Sequence, residues 1–267
     1  MFKNLQIEWM KIKNYRVFQV FSILYLIGIV LIIYIFYRVY IDLIASMQAA
    51  FTGVQSAGSD FFSLFSEGNI WKTVCFWTGF LLYLPGMVII NLFINEVNFK
   101  THRQNIIDGW KRETFIYSKI GLIACMAVVI TIMNAIAGII MASIVHTSVS
   151  FSGLGILGLS FIQSFTYLMF ALLLATYFRR SGVAIIVFFI YGLLFEFLLM
   201  WLFSKITPGA QYFLPLQAAD SLIVFPLAEK GNVYKDLPGI YAMLIGALLF
   251  ITAYIFLTVR KYKYDDL

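Results

Sequence analysis

Charge is scarce in this sequence. Asp, Glu, Lys and Arg make up 12% of its 267 residues, while 62% are hydrophobic and 18% aromatic. A water-soluble domain carries about a quarter charged residues, so this composition argues against one. Histidine is scarcer still. His102 and His146 are the two in the chain, and they fall in connections expected on opposite sides of a membrane. With no HExxH and no CxxC pattern, a metal site is not expected, and neither histidine has a partner for serine-type hydrolysis. Cys75 and Cys125 both lie inside apolar runs, where a thiol behaves as a small apolar side chain, so no disulfide framework is expected. The phosphate-cradling GxxxxGK[ST] pattern is also absent, so nucleotide hydrolysis on this chain is not expected.

What is present is long apolar runs. About 20 apolar residues in a helix cross a hydrocarbon core of ~30 Å, and six such runs occur, near 18–37, 74–94, 117–145, 154–178, 182–203 and 239–259. The third is long enough to tilt or project. The expected fold is an all-α integral membrane domain over residues 1–267, with no internal repeat and no linker to a second domain. The start, MFKNLQIEWMKIKNYRVF, is too polar for a signal-peptide core, so the first run is expected to remain as an anchor.

Orientation follows from the basic residues. With the N-terminus in the cytoplasm, 14 of the 19 Lys and Arg fall inside, while acidic residues divide evenly. That is the positive-inside pattern, so both termini are expected to be cytoplasmic in a multi-pass protein of the cell membrane. The basic excess then reflects topology rather than nucleic-acid binding.

Outside the runs, residues 2–15 place Phe2, Leu5, Trp9 and Ile12 at helical spacing, with Lys3, Gln6, Lys11 and Lys13 mostly elsewhere. This reads as an amphipathic helix along the membrane interface. Residues 204–238 hold four of the five prolines, Pro208, Pro215, Pro226 and Pro238. Their apolar middle is too short and too interrupted for a span. It reads as a broken, re-entrant helical segment that must pack on the bundle, since irregular backbone at membrane depth has to be satisfied by protein.

One GxGxxG occurs, at Gly153, Gly155 and Gly158. It opens a span rather than following a strand, so close helix packing or a flexible span start accounts for it better than dinucleotide binding. Glu196 is the single ionisable residue well inside a span and a possible intramembrane functional residue, with a structural pairing as the alternative. Asn91, Asn134, Gln163 and Ser164 are expected to hydrogen-bond between helices.

Charge concentrates in one place. The connection 94–119, INEVNFKTHRQNIIDGWKRETFIYSK, holds eight of the 32 charged residues. Its mixed signs suit a docking surface better than lipid binding, which prefers runs of Lys and Arg. The loop resembles the first cytoplasmic loop of type-2 ATP-binding-cassette (ABC) permeases. In those, a Glu at the end of the second span precedes a coupling helix, a glycine, an Arg, an aromatic and a Lys entering the third span. Glu96, Gly109, Arg112, Phe115 and Lys119 stand in that order.

The resemblance implies a membrane-spanning permease subunit of an ABC exporter. It further implies a dimer with a second copy or paralogue, and ATP bound and hydrolysed by a separate cytoplasmic ATPase subunit. Phe99, Thr101, His102, Arg103, Asn105, Ile106, Asp108 and Gly109 would couple to that ATPase, and Glu96, Arg112 and Lys119 would brace the loop. The alternative is a multi-span anchor or channel-like protein that recruits a different cytoplasmic partner.

Overall fold

The computed structural model describes residues 2–49, 63–101, 112–146, 153–230, 234 and 236–264. It is 88% helical, with no strand among the described residues. Six helices are long and apolar enough to cross a membrane: Arg16–Ala45, Asn69–Asn98, Glu113–Ile144, Leu154–Phe178, Ser181–Ile206 and Ile240–Tyr264. They are spans 1 to 6 below, and they make the chain a multi-pass membrane protein.

Every expected span has its helix, but several boundaries move, those of spans 1 and 3 among them. The first helix continues past Tyr37 to Ala49, because RVYIDLIASMQA supplies residues of good helix propensity and no breaker. The third runs from Arg112 to Ile144, about 50 Å at the usual rise per residue, so it outreaches the hydrocarbon layer unless it tilts. Spans 4 and 5 form a tight antiparallel pair: Arg179 takes a left-handed conformation that ends span 4, Arg180 is extended, and span 5 begins at Ser181.

Span 4 is the hub and packs against spans 2, 3, 5 and 6. Leu168, Met169, Ala171, Leu172 and Ala175 are fully enclosed there. Without a hydrophobic drive between helices in lipid, close van der Waals fit and interhelical hydrogen bonds hold such a bundle. Asn134 on span 3 supplies one, donating to Ser160 Oγ on span 4 at 2.8 Å. Asn91 instead donates to Met87 O of its own helix, and Ser164 Oγ is buried without a partner among the described residues. Gly153 admits the Trp71 ring where a Cβ would sit 1.9 Å from it, whereas Gly155 and Gly158 face open space. The glycine triplet therefore has one packing position.

Two spans are irregular. Span 2 tightens into a 3-10 turn at Phe80–Leu82 just before Pro85, whose ring and missing N–H disturb the preceding turn. Span 5 widens into a π turn at Tyr191–Phe195, immediately before Glu196. Between spans 5 and 6 the chain folds back on the bundle through short helical pieces at Ala210–Phe213, Gln217–Asp220 and Pro226–Lys230. Tyr212, Ala219, Leu222 and Ile223 pack there with Cys75 of span 2 and Met243 and Ala247 of span 6. Both cysteines are free, Cys75 buried and Cys125 exposed.

Candidate functional site

Two groups of carboxylates stand out, at different places in the bundle. The first lies at the end holding the N-terminal helix and the last turn of span 6. The helix Phe2–Lys13 turns Glu8 and Ile12 inward, each about 1% exposed, while Trp9 is 55% exposed. The inward stripe is therefore set by Glu8 and Ile12, one turn apart, rather than by Trp9. Ile12 packs with Val88, Leu92 and Leu122 of spans 2 and 3.

Lys119, on the first turns of span 3 and 3% exposed, bonds Glu8 Oε2 and reaches Glu96 Oε1, near the end of span 2, at 2.6 Å. Lys11 closes the group at 3.2 Å from Glu8 and 3.7 Å from Glu96. The Lys119 ammonium also stands 5.1 Å over the Phe115 ring, which stacks on Tyr262 of span 6 at 5.3 Å. Three segments distant in sequence thus meet at one lysine, and span 6 joins them through the Phe115 ring. Each buried charge has a counter-charge, the condition under which burying ions is tolerable.

Of the loop residues singled out from the sequence, Glu96, Lys119 and Phe115 are brought together here. Phe99 is 77% exposed. Thr101 donates to Glu96 O at 3.1 Å, tying the loop's start to the end of span 2. His102, Arg103, Asn105, Ile106, Asp108 and Gly109 lie outside the described residues, as does the Arg112 side chain. Glu8 is the member that sequence reasoning missed. Its signal was its isolation: it is the only acidic residue before Asp42, and it sits one turn from the apolar Ile12.

The second group surrounds Glu196, which is 3% exposed. The π turn before it turns it toward the folded-back segment. There Glu196 Oε1 accepts the backbone N–H groups of Leu216 and Gln217 at 2.7 and 2.9 Å. Those amides open the helical turn Gln217–Asp220, and helix-start N–H groups lack intrahelical partners. Glu196 thus makes a structural pairing that pins the segment to span 5. Tyr254 of span 6 adds a bond to Pro215 O at 3.1 Å.

At the other end of that turn, Asp220 accepts from Gln163 Nε2 at 2.8 Å and from the Tyr167 hydroxyl at 2.7 Å, both on span 4. Gln163 is thus engaged with the connecting segment rather than with a neighbouring span. Burial pushes the Asp220 carboxyl above the ordinary carboxylate range, to about 6, against the lowering effect of those two bonds.

Between these carboxylates lies a cavity of about 390 Å³. Its walls come from both irregular turns, Phe80 and Tyr83 on span 2 and Gly192 on span 5, with Tyr167, Phe197 and Tyr234 completing an aromatic lining. Gly192 is required by contact: a Cβ there would stand 2.1 Å from the Tyr83 hydroxyl. No cluster of His, Cys, Asp and Glu suited to a metal ion occurs among the described residues.

No protein-family model matches the chain, and no curated protein or solved structure matches it either.

Proposed function

We propose that this chain is the membrane-spanning permease subunit of an ATP-driven ABC exporter of the type-2 class, working as a dimer on a separate cytoplasmic ATPase. The N-terminal helix would then lie along the cytoplasmic interface, and residues 204–238 would form the re-entrant outer element. One observation carries the reading. The ends of loop 96–119 are clamped together through Glu96 and Lys119, and Glu8 fastens the N-terminal helix to the same lysine. A loop that must transmit a push from a soluble motor into a bundle needs such stiff roots, because a slack connection would absorb the displacement. The resemblance of Glu96, Gly109, Arg112, Phe115 and Lys119 to the permease loop supplies the kind of motor.

In this reading the ATPase subunits carry ATP, and the loop between the roots seats in a groove on their surface. Closure on ATP pushes spans 2 and 3 at their ends. Spans 1 and 5, each with only 17% of its most apolar window buried, offer an apolar face for the second permease copy or paralogue and for lipid.

The test is co-expression with the candidate ATPase, purification of the complex and ATPase assay in liposomes. Wild type would be set beside Arg103→Ala, Asp108→Ala and Arg112→Ala. The proposal expects a stable complex whose activity or cohesion fails in these variants. A chain that purifies without any ATPase would place it instead among multi-span anchors or channel-like proteins that recruit another cytoplasmic partner.

A further inference from the structure

The geometry points to a binding site for an organic ammonium group in the cavity between Glu196 and Asp220, with the ammonium borne on an apolar body. It names a cargo class for the exporter reading and rests on that reading only for the transport; the binding belongs to the chain alone.

Three features of the cavity converge on this ligand. First, both carboxylates line it, and neither forms an ion pair among the described residues. Every partner they have is an N–H or O–H donor. Burying carboxylates without a counter-charge is costly and raises their proton affinity, and a cationic ligand would supply the counter-charge in the proton's place. Second, both hydrogen bonds that Glu196 accepts fall on Oε1. Its Oε2 has no donor among the described residues, although the residue is only 3% exposed and lines the cavity. Third, half of the remaining lining residues are aromatic, with Phe80, Tyr83, Tyr167, Phe197 and Tyr234 among them. Ring faces attract an alkylammonium more strongly than a bare inorganic cation that would have to shed its water, and aromatic cages recognise quaternary ammonium groups in this way. A neutral ligand would leave the carboxylates uncompensated, and an anion would be repelled.

The opening favours the same class. Leu193 and Phe197 line the cavity and are half to three-quarters exposed on the outer surface of span 5, so the apolar body can remain against that surface while the ammonium reaches the carboxylates. Two sources share this chemistry: a lipid headgroup bearing a quaternary ammonium, and a free amphipathic amine.

The test uses the full-length chain in nanodiscs of phosphatidylglycerol and radiolabelled benzyltrimethylammonium as the probe. Neopentylbenzene, the uncharged carbon analogue of the same shape, and benzenesulfonate serve as competitors. Saturable binding that neither competitor displaces is expected. Glu196→Gln and Asp220→Asn should each weaken it by about tenfold, the scale of one lost charge contact. Met200→Trp fills the cavity while leaving both carboxylates and their hydrogen bonds in place, and should abolish binding with the folded protein intact. It decides the matter if the carboxylate variants fail to fold.

Displacement by neopentylbenzene as strong as by unlabelled probe overturns the proposal, and so does unchanged affinity in Met200→Trp. With the phosphatidylglycerol share held constant so that surface charge is equal, weaker probe binding when the second lipid is phosphatidylcholine than when it is an uncharged galactolipid would identify the lipid headgroup as the source; equal binding would point to a free amine. Because no ATPase is present, loss of the exporter reading and loss of this site are separate results.

Discussion

The two carboxylate groups use the same side chains to opposite ends. At the loop roots, Glu8 and Glu96 meet Lys119 and Lys11, so charge is cancelled inside the protein. At the cavity, Glu196 and Asp220 are held by amide, carboxamide and phenol donors, which orient a carboxylate without neutralising it. A cancelled cluster fastens segments and has nothing left to offer a ligand. An oriented but unpaired one fastens as well, and in the proposal above it still has room for an arriving cation.

The contrast is sharpest at Lys119. Lys119→Met removes the closest cation from both Glu8 and Glu96 and leaves the partly exposed Lys11 beside them. Removing one partner of a buried pair costs about 3–5 kcal/mol, so the variant should lose most of its folded yield, read by fluorescence-detected size exclusion. Adding Glu8→Gln should recover part of it. Equal yields of wild type and Lys119→Met would show that the roots are not fastened by charge.

Glu196→Leu probes the other kind of carboxylate. It strips the acceptor from the Leu216 and Gln217 amides, and an orphaned buried donor costs about 1–3 kcal/mol. Amide hydrogen exchange around residues 214–220 should quicken, while the Lys119 end stays protected. Glu196→Gln retains a carbonyl acceptor and should keep that protection, which separates the fastening role of the group from its charge.

Gly192→Ala forces the Tyr83 hydroxyl away from span 5. Overpacking of this sort costs about 1–3 kcal/mol, and the melting temperature in detergent should fall accordingly. Asn134→Ala removes a single interhelical hydrogen bond that involves neither carboxylate group. Such bonds average about 0.6 kcal/mol in membrane bundles, so its melt should be barely distinguishable from wild type.

How much of this was legible in the sequence depends on how local each cause is. The spans were legible, because length and apolarity are properties of a continuous run. Glu196 was conspicuous for being charged among apolar residues, yet its donors lie 20 residues on, on backbone amides that no side-chain pattern announces. Asp220 read only as an interruption of an apolar stretch, since its partners Gln163 and Tyr167 are on another helix. Glu96 and Lys119 were visible as the ends of one loop. Glu8 completes them from more than 80 residues away in sequence, and a facing assigned by Trp9 hid it. Pro85 and Gly192 are ordinary in membrane helices; that one follows a tight turn and the other lies in a wide turn on the same cavity emerges only from packing.

The wide turn in span 5 has one more consequence. A π turn is a helix carrying one residue too many, and like a dislocation in a crystal it can migrate along the rod by exchanging hydrogen-bond partners. Each residue it passes is re-phased by about 100°, one residue's rotation in an α-helix. Glu196 is the first residue beyond it. A single passage of the defect would swing that carboxylate off the Leu216 and Gln217 amides and turn it toward another face of the span, without bending the rod or breaking its ends. Such a passage would gear helix phase to the tethering of the folded-back segment, as a pawl is to its ratchet.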